Sequence, residues 1–137
     1  DTYLHYEPNK GHDIRAAAGA QKAIDAFFAS ILKGERLPAL SWTFGDGGTF
    51  TMSPDTAPQR VVLWSAANPA ARDFRQEKDI AWQYKEIAPD ASGIYSGLAG
   101  PAAETGYTAF FLEARYRQAE DNETYTIATP VHVFQNN

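Results

Sequence analysis

VVLWSAANPAARDFR, residues 61–75, decides how the rest of the chain is read. Val61, Val62, Leu63 and Trp64 are the β-branched, aliphatic and aromatic types that fit a pleated, largely covered strand. Asn68-Pro69 ends that run, because proline cannot donate to a ladder and biases the residue before it toward extended geometry. The end of the strand therefore displays Arg72, Asp73, Phe74 and Arg75: two guanidiniums, a carboxylate and a ring.

On both sides of this stretch short β-type runs recur between turn signals, at 40–44, 49–53, 60–66, 80–87, 93–98, 107–116 and 124–134. Seven such runs predict a mainly β fold, an antiparallel sandwich of immunoglobulin-like type. Gly45-Asp46-Gly47-Gly48 is a tight hairpin signal, since glycine reaches positive φ without a Cβ clash. Residues 119–122 are polar enough for a second, solvent-facing hairpin. In the last run Tyr125, Ile127, Thr129, Val131 and Val133 alternate with Thr124, Thr126, Ala128, Pro130 and His132, and Pro130 argues for an edge position or a bulge.

The opening has a different texture. Residues 2–6 read as a short strand and 7–11 as the loop leaving it, with His12 at the end of that loop. Asp13 is a fair N-cap for a helix over 14–33, in which Ala20, Ile24, Phe27, Phe28 and Ile31 form one buried stripe, and Gly34 is the C-cap. Strand, histidine-bearing turn and amphipathic helix are the shape in which α/β-hydrolase folds deliver their last catalytic residue. Residues 1–34 are thus expected to be the closing strand-helix unit of an α/β-hydrolase-like domain, 35–38 a linker, and 35–137 the sandwich. A chain opening directly in strand-like residues is expected to be the C-terminal portion of something longer.

Composition sets bounds. With 137 residues, 44% of them hydrophobic and 13% aromatic, the chain can bury a core. Its net charge of −5 argues against a nucleic-acid or anionic-membrane surface, both of which need a concentrated basic face. No apolar run approaches the roughly 20 residues of a membrane span. The absence of cysteine excludes disulfides, thiolate metal sites and cysteine nucleophiles, and fits oxidising and reducing compartments equally.

Four segments together carry a family resemblance: LWSAANPAARDFR at 63–75, GYTAFFLEARY at 106–116, YEPNKGHDI at 6–14 and TIATPVHVF at 126–134. They resemble the C-terminal part of the PhoPQ-activated pathogenicity-related proteins, and the match spans nearly the whole chain. The resemblance implies export to the periplasm or outside the cell, an α/β-hydrolase-like part of the same protein on the N-terminal side, and hydrolysis of an ester or amide. The family is itself similar to secreted eukaryotic proliferation repressors, which keeps a non-enzymatic module recognising a protein or glycan as the alternative.

His12 is the catalytic candidate, because a loop histidine can set one ring nitrogen against a nucleophile and the other against an orienting carboxylate. The plain alternative is a surface histidine. No Gly-x-Ser-x-Gly elbow occurs, so a nucleophile and its acid would lie upstream of Asp1, and the chain alone is expected to be inert. Ser30, Ser41, Ser53, Ser65, Ser92 and Ser96 lack a neighbouring acid-base pair and are read as structural. His5 and His132 show neither His-x-x-x-His nor carboxylate-flanked spacing, so no metal and no cofactor is expected. Arg72, Asp73, Phe74 and Arg75 suit either an anion or, more often, loop anchoring, with an interdomain anchor between the two readings. The aromatics are expected in the core rather than on a carbohydrate platform, with Trp64 and Trp82 in the sandwich interior. Phe110 and Phe111 must face opposite sides of their strand, which would leave one of them for a neighbouring domain to cover.

Overall fold

The structure, a computed structural model, describes residues 2–11, 14, 17–75, 79–100, 104–118 and 122–136. Among these lie one helix, α1 (Ala18–Lys33), and eight strands: β1 (Leu40–Phe44), β2 (Thr49–Pro54), β3 (Arg60–Asn68), β4 (Gln83–Ile87), β5 (Tyr95–Leu98), β6 (Tyr107–Arg117), β7 (Thr124–Ala128) and β8 (His132–Gln135). All pairings between strands are antiparallel. The smaller sheet runs β1-β2-β5; the larger runs β4-β3-β6-β7, with β8 beside β7 on the same edge of β6.

The alternation of β6 organises both faces of the larger sheet. Phe110, Leu112, Ala114 and Tyr116 point toward the smaller sheet, where they join Phe50, Met52, Val61, Leu63, Tyr125 and Ile127 in one cluster. Phe110 is fully buried, with the rings of Phe44 and Phe50 centred 5.1 and 6.1 Å away, so the two sheets meet at this residue. Phe111 faces the opposite way and is only 2% exposed. Its cover comes from within the chain: Tyr6 at 4.8 Å, Trp82 at 5.4 Å and Trp64 at 6.4 Å between ring centroids. No neighbouring domain is needed there. Trp64 and Trp82 accordingly lie on the outer face of the larger sheet and not between the sheets, because Trp64 pairs directly with Phe111 across β3 and β6.

The last predicted strand is two. Thr129 is fully buried and its hydroxyl accepts from Leu112 N at 3.0 Å, while Phe110 pairs with His132 and Glu113 with Ala128. One extra residue is therefore accommodated at Pro130, the bulge that proline favours at a sheet edge. The slip swaps the faces beyond it, so His132 and Phe134, and not Val133, turn inward against Phe110.

At the far end of β3 the Asn-Pro turn behaves as expected. Asn68 is buried; its side-chain oxygen accepts from Ala70 N and Ala71 N, and its amide donates to Asp73 O at 2.6 Å. Gly106 passes so close to this turn, with φ of 85°, that any Cβ would collide with Asn68 O and Pro69.

The opening segment differs most from expectation. Residues 2–6 form no strand beyond one bridge, Leu4 with Ala128, and no part of an α/β-hydrolase sheet is present among the described residues. α1 begins at Ala18 with Ala17 as an N-cap that makes no side-chain bond, and it ends as predicted at Gly34 in the left-handed conformation. Asp13 lies outside the described residues. The predicted buried stripe is not buried: Ala26 and Ser30 face β7, and Ile24, Phe27, Phe28 and Ile31 face out. Small side chains let a helix approach a sheet closely, and here they set its orientation.

Phe110→Ala should destabilise the protein by about 3–5 kcal/mol, the usual cost of emptying a fully buried phenylalanine site. Chemical denaturation measured against Phe28→Ala, which removes a half-exposed ring, checks the assignment of the core; equal losses would contradict it.

Candidate functional site

Residues 5–7 run across the outer face of the larger sheet and residues 8 and 9 turn, so successive side chains reach different neighbours. Tyr6 stacks on Phe111. Asn9, at φ of 60°, uses its side-chain amide as a strand would use its backbone: Nδ2 donates to Trp82 O at 2.9 Å and Oδ1 accepts from Trp82 N at 2.8 Å. The segment is thereby tied to the loop that follows β3. Between them opens a cleft of about 260 Å³ whose walls include Tyr6, Trp82, Phe74 and Phe111, with Glu7, Lys10 and Arg75 among its polar lining.

Of the four residues displayed after β3, the structure brings three to this region. Asp73 holds Arg75 in a two-pronged ion pair, Nε to Oδ1 at 2.9 Å and Nη2 to Oδ2 at 2.7 Å. Phe74 sits 6.2 Å from Trp82 between ring centroids, and its carbonyl accepts from the Trp82 indole. Phe74 and Arg75 line the cleft, whereas Arg72 is exposed and does not. His12 lies outside the described residues; Gly11, which precedes it, lines the cleft.

A second group, absent from the sequence reading, adjoins the first. His5 Nδ1 is 2.8 Å from Thr126 Oγ1, and its Nε2 is 2.9 Å from Glu7 Oε1. A Cβ on Gly19 would strike the Glu7 carboxylate and touch the His5 ring, so the first turn of α1 sits directly over this pair. Glu113, 8% exposed, belongs to the same face of β6 as Phe111. Burial pushes its carboxyl above the ordinary value of 4.5, while Arg115, His5 and the Trp64 indole favour the charged form and Glu7 opposes it. The buried Trp64 Nε1 nevertheless completes no hydrogen bond of good geometry. The signal available for the pair was the i, i+2 spacing of His5 and Glu7, which puts both on one side of an extended segment and gives His5 the flanking carboxylate the sequence reading denied it. Nothing local marked Glu113.

His132 is packed between Phe44 and Phe110, with centroids 5.1 and 5.4 Å away, and serves the core. Among the described residues no group of three or more histidines and acids could hold a metal, and no helix is long and apolar enough to cross a membrane. No serine is among the described residues lining the cleft. Chemically the arrangement offers aromatic faces, one carboxylate and two cations, which can bind and orient a ligand.

Among the described residues, fold and site thus define a mainly β, two-sheet protein with one helix and an aromatic cleft. The profile described as PhoPQ-activated pathogenicity-related protein matches residues 1–75, more than half of the chain, and the chain belongs to that family. It is also similar to "Autocrine proliferation repressor protein A" of Dictyostelium discoideum, 27% identical over 93% of this chain. The chain spans 30% of that relative's length. No solved structure matches it.

The raised Glu113 carboxyl fixes a pH dependence. The folded state holds this proton more tightly than the unfolded chain, so the contribution is fully present below about 4.5, the ordinary glutamate range, and is lost as pH rises through the higher folded value. Thermal midpoints should therefore carry a downward component with pH across that window, and Glu113→Gln should flatten it. An unchanged slope in the variant would mean the carboxyl is not burdened by burial.

Proposed function

We propose that this chain is the C-terminal portion of a longer, exported α/β-hydrolase-like protein, acting in the periplasm or outside the cell on an ester or amide. It supplies His12 as general base toward a serine elsewhere in the protein, together with an immunoglobulin-like sandwich that holds one wall of the substrate cleft. The observation that carries this reading is the cleft itself: its aromatic and charged lining runs through Lys10 to Gly11, and the next residue in the chain is the histidine. A histidine that follows the cleft-lining residues in sequence could take a proton from a nucleophile brought to it while the rings hold the acyl or leaving group. The strand order supports the sandwich: β2 lies between β1 and β5, and β6 between β3 and the β7–β8 edge. No cofactor is required by this chemistry.

A second reading, a non-enzymatic module that recognises a protein or glycan, is favoured by the name of the Dictyostelium relative, a proliferation repressor, and by a cleft lined with rings but no serine. The two separate on the full-length protein. In the enzyme, His12→Ala should lower kcat/KM for small esters by about 10²–10⁴-fold, the range of a lost general base. Trp82→Ala should raise KM with a smaller effect on kcat. Turnover indifferent to His12→Ala would overturn the role given to that residue, and no turnover at all from a folded full-length protein would decide for the binding module.

A further inference from the structure

α1 is turned inside out for a surface helix. Its inner side carries small residues, Gly19 over the His5–Glu7 pair and the buried Ala26 and Ser30, while Ile24, Phe27, Phe28, Ile31 and Leu32 face outward at 39–87% exposure. Surface helices bury their bulky stripe and expose the polar one; a contiguous apolar patch left open marks an interaction surface. Beside this face runs an apolar groove of about 510 Å³ between α1, residues 2–5 and β7, into which Ile24, Phe27 and Phe28 also project.

We propose that the outward face of α1 is the seat of the polypeptide that precedes residue 1 in the full-length protein, making the helix a middle layer between that part and the two-sheet unit. The proposal rests on reading the chain as the C-terminal portion of a longer protein, and it names the contact between the two parts. Three observations select this occupant. The chain corresponds to 30% of the Dictyostelium relative's length, so a relative of that size has ample polypeptide to supply a covering layer. Thr2, Tyr3 and Leu4 themselves line the groove, so any chain preceding them emerges alongside the apolar face. At the other terminus Asn136 bonds Gly106, at the opposite end of β6 from the stretch that pairs with β7, so a following segment would leave far from α1.

A lipid surface fits less well. Helices that lie in a membrane interface carry a cationic polar face opposite the apolar one. The face of α1 opposite its bulky residues is spent on the sheet, and Lys22 is ion-paired with Glu123 at 2.6 Å.

The test uses full-length protein in which any cysteines outside this region are replaced by serine, since residues 1–137 contain none. Phe28→Cys and Leu32→Cys are introduced singly, with Ser92→Cys, on the exposed turn before β5, as reference, and thiol alkylation rates are followed while light scattering reports the oligomeric state. Expected is labelling at 28 and 32 slowed about tenfold or more against position 92 in a monomer, as for side chains released only by local opening, with the difference abolished in denaturant. Equal rates at the three positions in a folded protein overturn the proposal. So does protection that appears only with dimerisation, which would assign the face to a second copy, or only with added vesicles, which would assign it to lipid. Because alkylation reads the contact and ester turnover reads the reaction, the docking and the hydrolase reading can fail separately.

Discussion

The central strand β6 is buried on both faces, and most of the architecture answers to that constraint. Strand alternation sends Phe110, Leu112, Ala114 and Tyr116 one way and Phe111 and Glu113 the other. The first set is met by the smaller sheet. The second needs a cover of its own, since a phenylalanine left in water forfeits about 1.5–3 kcal/mol of burial. Tyr6 and Trp82 provide that cover from two distant parts of the sequence, cross-tied by the side-chain amide of Asn9. The cleft is what remains between two segments brought together to shield one ring.

The cover is not purely apolar, and its polar members are arranged to limit the cost. Glu113 sits under it with an elevated affinity for a proton because burial outweighs the pull of Arg115 and His5. A buried carboxylate without partners costs several kcal/mol; one that can take a proton avoids most of that penalty. His5 in turn is fixed at both ring nitrogens, by Thr126 and by Glu7, and Gly19 approaches the half-buried pair closely. The smaller sheet's side shows the same rule in neutral form. Burial pushes the Tyr116 hydroxyl well above the ordinary tyrosine range, with Asp55 and two neighbouring tyrosines adding to it, and that hydroxyl donates to Thr56 O at 3.2 Å.

What the sequence made legible was local. β1 and the β1–β2 turn at 45–48 fall where alternation and glycine spacing put them, and the Asn68-Pro69 stop and Gly34 cap are correct because each depends on residues within a few positions. The opposed faces of Phe110 and Phe111 follow from strand geometry alone. What covers Phe111 did not, because Tyr6 and Trp82 are separated from it by long stretches of chain. Trp64 was misplaced for the same reason: strand propensity says that a tryptophan is covered, not on which face. The register slip at Pro130 was visible as a bulge signal, but its consequence for His132 depends on the pairing partner. The helix was the largest miss, since periodicity identifies an apolar stripe and cannot say whether its own sheet or something else buries it. At the site, Phe74 and Arg75 were legible from their position after β3; the His5–Glu7 pair and Glu113 required the fold to bring them together.

Residues 2–11 connect the two surfaces of interest. Thr2 to His5 form one side of the groove under α1, and Tyr6 to Gly11 form one wall of the aromatic cleft. The segment is held at successive points by the Leu4–Ala128 bridge, the His5–Thr126 contact, the Tyr6–Phe111 stack and the Asn9–Trp82 amide pair. Glu7 belongs to both surfaces, since it lies where a Cβ on Gly19 of α1 would collide with it and it also lines the cleft. These ten residues therefore border both the groove beside α1 and the aromatic cleft, with the His5–Glu7 pair at their midpoint.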